Sequence, residues 1–108
     1  MNPPYTKAFL QNYREIWLKE EEDKFITSCM NYITEQILNI ARASFGQNPD
    51  NMQKILRFRD IFYNNKNYRL SDPPGKFIPD IIEKIKEYFP DSDIKVDPLQ
   101  TYIIISWV

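Results

Sequence analysis

The sequence predicts an α+β domain with two N-terminal helices followed by a β-α-β-β arrangement, in which a small three-stranded sheet is covered by a helix. Three observations predict this class. Residues 6–44 contain neither Gly nor Pro and repeat apolar residues at helical spacing. Residues 78–89 carry a second helical stripe. Residues 94–108 alternate around a turn in the manner of a β-hairpin.

The composition fits a single domain over residues 1–108. The chain has 108 residues, of which 43% are hydrophobic and 27% charged, as is ordinary for a folded domain. Residues 1–5 are expected to form a short N-terminal arm, because Pro3 and Pro4 cannot extend a helix. No apolar run approaches the ~20 residues that a membrane span needs.

The first long segment raises a question of phase. Thr6 suits the N-cap position. Two apolar stripes follow, one of Phe9, Leu10, Tyr13, Ile16 and Trp17, the other of Ile26, Met30, Ile33, Ile37, Ile40 and Ala41. Their centres differ by roughly 150° around a helix. Either the helix breaks near residues 19–24, which we favour, or its first half packs on something that the second half does not touch. Gly46 is expected to end the second helix.

Residues 52–63 are compatible with two structures. As a strand, the segment places Leu56 and Phe58 on one face and Arg57 and Arg59 on the other. As a helix, it would have Asn48 as its N-cap and Pro49 at its first position, and its apolar stripe would consist of Met52, Ile55, Leu56, Phe62 and Tyr63. We favour a strand at 54–61, because a hairpin is marginal without a third strand and no other segment is a candidate for one.

The next helix, residues 78–89, is the clearest element. Its apolar stripe consists of Ile78, Ile81, Ile82, Ile85, Tyr88 and Phe89. Pro79 suits the first turn, and Pro90 ends the helix.

The hairpin pairs a strand around residues 94–96 with residues 102–108. Residues 97–100, with Asp97 followed by Pro98, have the chemistry of a turn. In the second strand one face carries Ile103, Ile105 and Trp107, and the other carries Tyr102 and Ile104. Since both faces are apolar, we expect a central strand that is covered on both sides.

Several kinds of chemistry are not expected. The chain has no histidine and only two glycines, so triads based on histidine and glycine-rich phosphate loops are excluded. We therefore expect no enzyme activity, no cofactor and no metal. Cys29 is the only cysteine and is expected to be a buried thiol, typical of a reducing compartment.

Two sets of residues are candidate sites. Phe9, Tyr13 and Trp17 either form an interface with a protein partner, where Trp and Tyr are enriched, or cover the second face of the terminal strand. Lys54, Arg57 and Arg59 form a short basic row that could contact nucleic-acid phosphates, with Tyr63 and Tyr68 near in sequence for stacking. A solvated strand face is the simpler interpretation of this row, because the net charge of the protein is −1.

The stretch IIEKIKEYFPDSDIKVDPLQTYIIISWV, residues 81–108, supports a comparison with a group of proteins. A helix that ends in KEYFPDSDI, followed by a hairpin that finishes at IIISW, resembles small uncharacterised proteins of the nucleocytoplasmic large DNA viruses. The resemblance implies a viral origin, an α+β module and a location in the host cytoplasm or the virion. It transfers no functional residue.

Together these observations predict a non-enzymatic viral structural or accessory protein, such as a minor capsid or virion component. It would act through protein–protein contacts with itself or with a larger coat or scaffold protein. The alternatives are a small nucleic-acid-associated module that uses the basic row, although we do not expect nucleic acid to be the main partner, and a regulatory subunit without an active site.

Overall fold

A computed structural model describes residues 5–43, 52–64 and 73–108, and this part of the chain has an α+β fold. Its elements are α1 (Lys7–Ala43), β1 (Gln53–Arg57), α2 (Phe58–Tyr63), a 3₁₀ turn (Pro74–Phe77), α3 (Ile78–Tyr88), β2 (Asp93–Val96) and β3 (Tyr102–Ser106). The strands form one antiparallel sheet in the order β1-β3-β2. The predicted N-terminal arm except Tyr5, the helix end at Gly46 and the position of Tyr68 lie outside the described residues.

The N-terminal segment is one helix, so the predicted break near residues 19–24 is wrong. α1 runs for 37 residues without interruption. It begins as expected, with the backbone N–H of Phe9 donating to the Thr6 hydroxyl over 3.1 Å. The acidic run at residues 20–23 is tolerated because it contains no helix breaker and Glu20 and Asp23 are exposed, while the Glu21 side chain, only 12% exposed, pairs with Lys24 at 3.4 Å.

The ambiguous segment turns out to contain both predicted structures. β1 ends at Arg57, and α2 begins at Phe58, so the strand predicted over 54–61 is too long at its C-terminal end. Phe58 and Ile61 are buried, and Phe62 packs against the core. The short helix α2 makes this possible because it packs on the helix-covered face of the sheet. The apolar pattern does not reveal this change from strand to helix. Phe58 and Phe62 would lie on one face of a strand, and they also have the i, i+4 spacing of one helix face.

β3 is the central strand, as predicted. Ile103 pairs with Leu56 of β1 and with Val96 of β2, and Ile105 pairs with Ile94 on the β2 side. The connecting turn is closed by the backbone N–H of Gln100, which donates to the Asp97 carbonyl over 2.8 Å. Gln100 has a positive φ of 57°, which lets the chain reverse within this short loop.

All described helices contribute to one core on the same face of the sheet. Ile103 and Ile105 are fully buried there, with Ile33 of α1 and Ile81 of α3. Further buried members are Phe25, Cys29, Met30, Ile37, Leu56, Phe58, Ile61, Phe77, Ile78 and Ile85. The Phe25 ring joins α1 to the 3₁₀ turn, its centroid lying 5.2 Å from that of Phe77. Trp107 packs against this core, whereas Tyr88, expected in the α3 stripe, is exposed.

None of the described helices covers the opposite face of the sheet, which corrects the expectation that β3 is covered on both sides. Ile55 and Ile104 are register partners on this face, and Ile55 is 53% exposed. Tyr102 also points away from the core and is exposed. Within the described ranges the fold is therefore two layers, helices on one side and water on the other.

The molecule is elongated because α1 is longer than the sheet it covers. Its dimensions are 60 × 30 × 24 Å, and a helix of this length measures about 55 Å. The buried residues of α1 begin at Phe25. Residues 7–24 contribute none, so almost half of the helix is not needed to cover the core.

We predict that the two faces of the sheet differ sharply in their contribution to stability. Ile103→Ala should lower the free energy of unfolding by about 2–5 kcal/mol, since it leaves a cavity in the core. Ile55→Ala makes the same chemical change on the open face and should cost less than about 1 kcal/mol. Denaturant unfolding followed by circular dichroism measures both. Equal losses would show that the open face is buried in solution.

Candidate functional site

The N-terminal half of α1 presents an exposed apolar surface, which we call the aromatic face and define as Tyr5, Phe9, Leu10, Tyr13, Ile16 and Trp17. Leu10 is 60% exposed and Tyr13 is 44% exposed. Phe9 and Trp17 are half-buried. The face lies on the side of α1 opposite to the core residues, as the difference in phase between the two stripes requires.

The rings of this face are arranged in a row along the helix. The Phe9 centroid lies 6.0 Å from the Tyr5 ring and 5.5 Å from the Tyr13 ring. Both pairs are tilted, an arrangement that aromatic quadrupoles favour. The side chains are therefore partly ordered before any partner binds, which lowers the entropy that binding would cost.

The three residues predicted from the sequence, Phe9, Tyr13 and Trp17, are thus brought together on one surface. None of them belongs to the core cluster or packs against it. The interpretation in which they cover the second face of the terminal strand is therefore wrong. Their role as a partner interface stays a prediction.

Charges along the N-terminal half of α1 are segregated by position. Lys7 and Arg14 lie near the start of the helix, on the side away from the aromatic face, and no acidic residue precedes Glu15 in this part of α1. The acidic run, residues 20–23, follows the C-terminal end of the aromatic face. The segment therefore has a positive and a negative end.

The predicted basic row does not exist as one row. Lys54 pairs with the buried Ile105 and lies on the helix-covered face. Arg57, three residues later, lies on the open face because strand side chains alternate. Arg59 belongs to α2. Strand alternation alone separates Lys54 from Arg57, a parity that the sequence interpretation overlooked, and the end of β1 at Arg57 places Arg59 in a different element.

Arg57 and Arg59 nevertheless meet at a pocket of about 470 Å³, which we call the arginine pocket. It lies where β1, α2 and the hairpin turn converge. The other lining residues are Phe58, Phe62, Ile78, Gln100, Thr101 and Tyr102. Sequence reasoning did not identify Gln100 or Tyr102 as site residues, because Tyr102 meets Arg57 only through the β1–β3 register and Gln100 lies in the turn just before β3.

A second, acidic groove of about 600 Å³ lies between α1 and α3. Half-buried Leu18 and Ile26 form its floor. Its charged lining consists of Glu15, Lys19, Glu22, Asp23, Asp80, Glu83, Lys84 and Glu87. Lys84 pairs with Glu87 at 3.4 Å across a helix turn. The lining has the composition of solvated helix faces and gathers no metal site among the described residues.

The hairpin turn holds a carboxylate with a shifted pKa. A hydrogen bond from the Thr101 hydroxyl lowers the pKa of Asp97, and backbone N–H groups of Thr101 and Leu99 contribute in the same direction. The Thr101 N–H lies 3.2 Å from Oδ2 of Asp97. The ionised Asp97 thus ties the two ends of the turn together.

We predict that this turn loses stability in acid. The folded pKa of Asp97 lies below its unfolded value, so its stabilisation is present above the unfolded pKa and lost as the pH falls through the folded pKa. Thr101→Val removes the main donor while keeping the shape. Its melting temperature should be lower than that of the original chain at neutral pH, and the difference should shrink as the pH falls through the folded pKa of Asp97. A difference that is independent of pH would contradict the ionic origin.

In comparisons with known proteins, no family model, no curated protein and no solved structure matches the chain. Among the helices of the described ranges, none is long and apolar enough to cross a membrane.

Proposed function

We propose that this chain is a non-enzymatic structural or accessory protein that works through protein–protein contacts, and that a second copy of the chain binds its aromatic face. The observation that carries the proposal is the exposure of Leu10, Tyr13 and Ile16 on a helical segment that contributes no residue to the core, with Tyr5 exposed just before it.

Exposure of such side chains has a cost that binding would remove. Contiguous apolar patches are uncommon on monomers unless they serve as binding sites. Burying an aromatic or leucine side chain gains roughly 1.5–3 kcal/mol relative to leaving it exposed. Trp and Tyr, represented here by Trp17 and Tyr13, are also the residues that most often dominate binding energy at interfaces.

Charge complementarity favours a second copy as the occupant. An antiparallel pair of α1 segments aligns the basic end of one copy, which carries Lys7 and Arg14, with the acidic end of the other. The same contact forms twice, because a two-fold arrangement is self-complementary. A parallel pair would instead place like charges together.

The contact is small, which suggests a weak and reversible pair. Residues 5–17 span only about 20 Å of helix. An interface of this length falls below the standard size of stable complexes, so we expect a dissociation constant on the order of 100 µM. Such contacts become effective when many copies are held together, as in a coat or scaffold. A minor capsid role in the virion or host cytoplasm fits this behaviour, but the viral origin rests on the resemblance of residues 81–108 alone.

We predict that Tyr13→Glu abolishes self-association. It places a charge in the middle of the aromatic face, where pairing would bury it. The matched control is Gln11→Glu, which adds the same charge at an exposed position on the opposite side of the same helix. Sedimentation velocity over about 10 µM to 1 mM should show a concentration-dependent dimer for the original chain and for the control, and a monomer for Tyr13→Glu.

Two results would contradict the proposal. One is an original chain that stays monomeric at about 1 mM, which would leave only a different protein as the occupant of the face. The other is equal dimerisation of Tyr13→Glu and Gln11→Glu, which would place the contact elsewhere. Melting curves of both variants should match the original, because neither position contributes to the core.

A further inference from the structure

We propose that the arginine pocket binds a nucleoside phosphate, with Arg57 and Arg59 on the phosphate and Tyr102 and Phe62 against the base. This site is separate from the aromatic face and does not depend on the proposed self-association.

The charge of the pocket points to an anion. Two guanidinium groups, those of Arg57 and Arg59, belong to its lining, and none of its described lining residues is acidic. Asp60 approaches Arg59 from outside the lining, with 3.9 Å between Arg59 Nε and Asp60 Oδ1. Because the Arg59 side chain is 79% exposed, this pair is weak and leaves its fork of donors open to a phosphate.

The walls of the pocket point to a ligand that also has a flat apolar part. Phe58 is buried, Phe62 is half-buried and Tyr102 is exposed, so rings border the space at several depths. Bases stack on such side chains with little dependence on sequence. The volume of about 470 Å³ lies within the usual range of small-molecule sites, roughly 300–1,000 Å³.

The frame that holds these groups is rigid. Arg57 and Tyr102 are register partners at the end of the β1–β3 ladder. The next N–H, that of Phe58, donates to the Thr101 carbonyl over 3.1 Å and fixes the start of α2 against the hairpin turn. Buried Ile78 closes the floor from α3. Side chains on sheet and helix ends are positioned more reproducibly than those on free loops.

Two other charged features of the described part of the chain do not compete with this pocket for an anion. The acidic groove repels phosphate, and Lys54 lies on the opposite face of the sheet. The net charge of −1 supplies no long-range attraction, so binding depends on the local pair of arginines. We therefore expect modest affinity that weakens as salt is raised.

The test measures binding of two phosphate sources to the full chain at low salt. Adenosine monophosphate represents a free nucleotide, and an oligothymidylate of about ten nucleotides represents a single strand. Amide chemical shifts should move around Arg57, Phe62 and Tyr102 with either ligand. Comparable affinity for both identifies a small-molecule site, whereas binding of the oligonucleotide alone identifies a single-strand site, and either result supports the proposal.

Three variants locate the contacts. Arg57→Gln should weaken binding about tenfold, since it removes a charge-assisted hydrogen bond to phosphate. The matched control, Lys54→Gln, removes the same charge from the same strand on the other face and should leave affinity unchanged. Tyr102→Leu should weaken binding of adenosine monophosphate severalfold while leaving binding of inorganic phosphate unaffected.

Several outcomes would overturn the proposal. Absence of binding of both ligands at low salt is the first. Equal weakening by Lys54→Gln and Arg57→Gln would show diffuse attraction instead of a site. An unchanged affinity for adenosine monophosphate in Tyr102→Leu would leave an anion site without base recognition. Circular dichroism melts of each variant establish that the fold is intact, as expected for substitutions at partly or fully exposed positions.

Discussion

Burial of Ile103 and Ile105 against one layer of helices is the constraint on which the rest of the fold depends. Both residues are fully buried and sit on the central strand, so they hold β1 and β2 in register on either side. Every helix of the described ranges packs on this face. A two-layer domain of this kind has one core, and every element must either reach that core or remain exposed. The open sheet face and the free half of α1 are the two consequences.

The free half of α1 follows from the length of the helix compared with the size of the sheet. The buried residues of α1 begin at Phe25, and the helix ends at Ala43. The preceding residues of α1 supply no buried core side chain, and they remain helical because they contain no glycine or proline and follow the Thr6 cap. Their apolar stripe is therefore a surface held in place by a rigid element, and it faces away from the core because its phase differs from that of the buried stripe.

The spacing of apolar residues and the position of turn residues predicted those elements that a segment's own sequence is sufficient to define. The stripe of α3, the hairpin around Asp97 and the central position of β3 were all visible in this way. The continuity of α1 was not, because a change of phase is equally compatible with a break and with a change of surroundings. The end of β1 was missed since Phe58 and Phe62 fit both periods. The arginine pocket was hidden for a further reason: Arg57 and Tyr102 are neighbours only through the register of β1 with β3.

Charge is segregated in this molecule although its net value is close to zero. The acidic run of α1 and the groove beside α3 form one negative region, while the two arginines border a pocket whose described lining has no carboxylate. Local potentials of this kind act within roughly a Debye length, about 8 Å at physiological salt, so each surface responds to its own charges. The aromatic face and the arginine pocket share no residue and belong to different elements. A partner on α1 can therefore be gained or lost without changing the chemistry at Arg57, and the two surfaces can be altered separately.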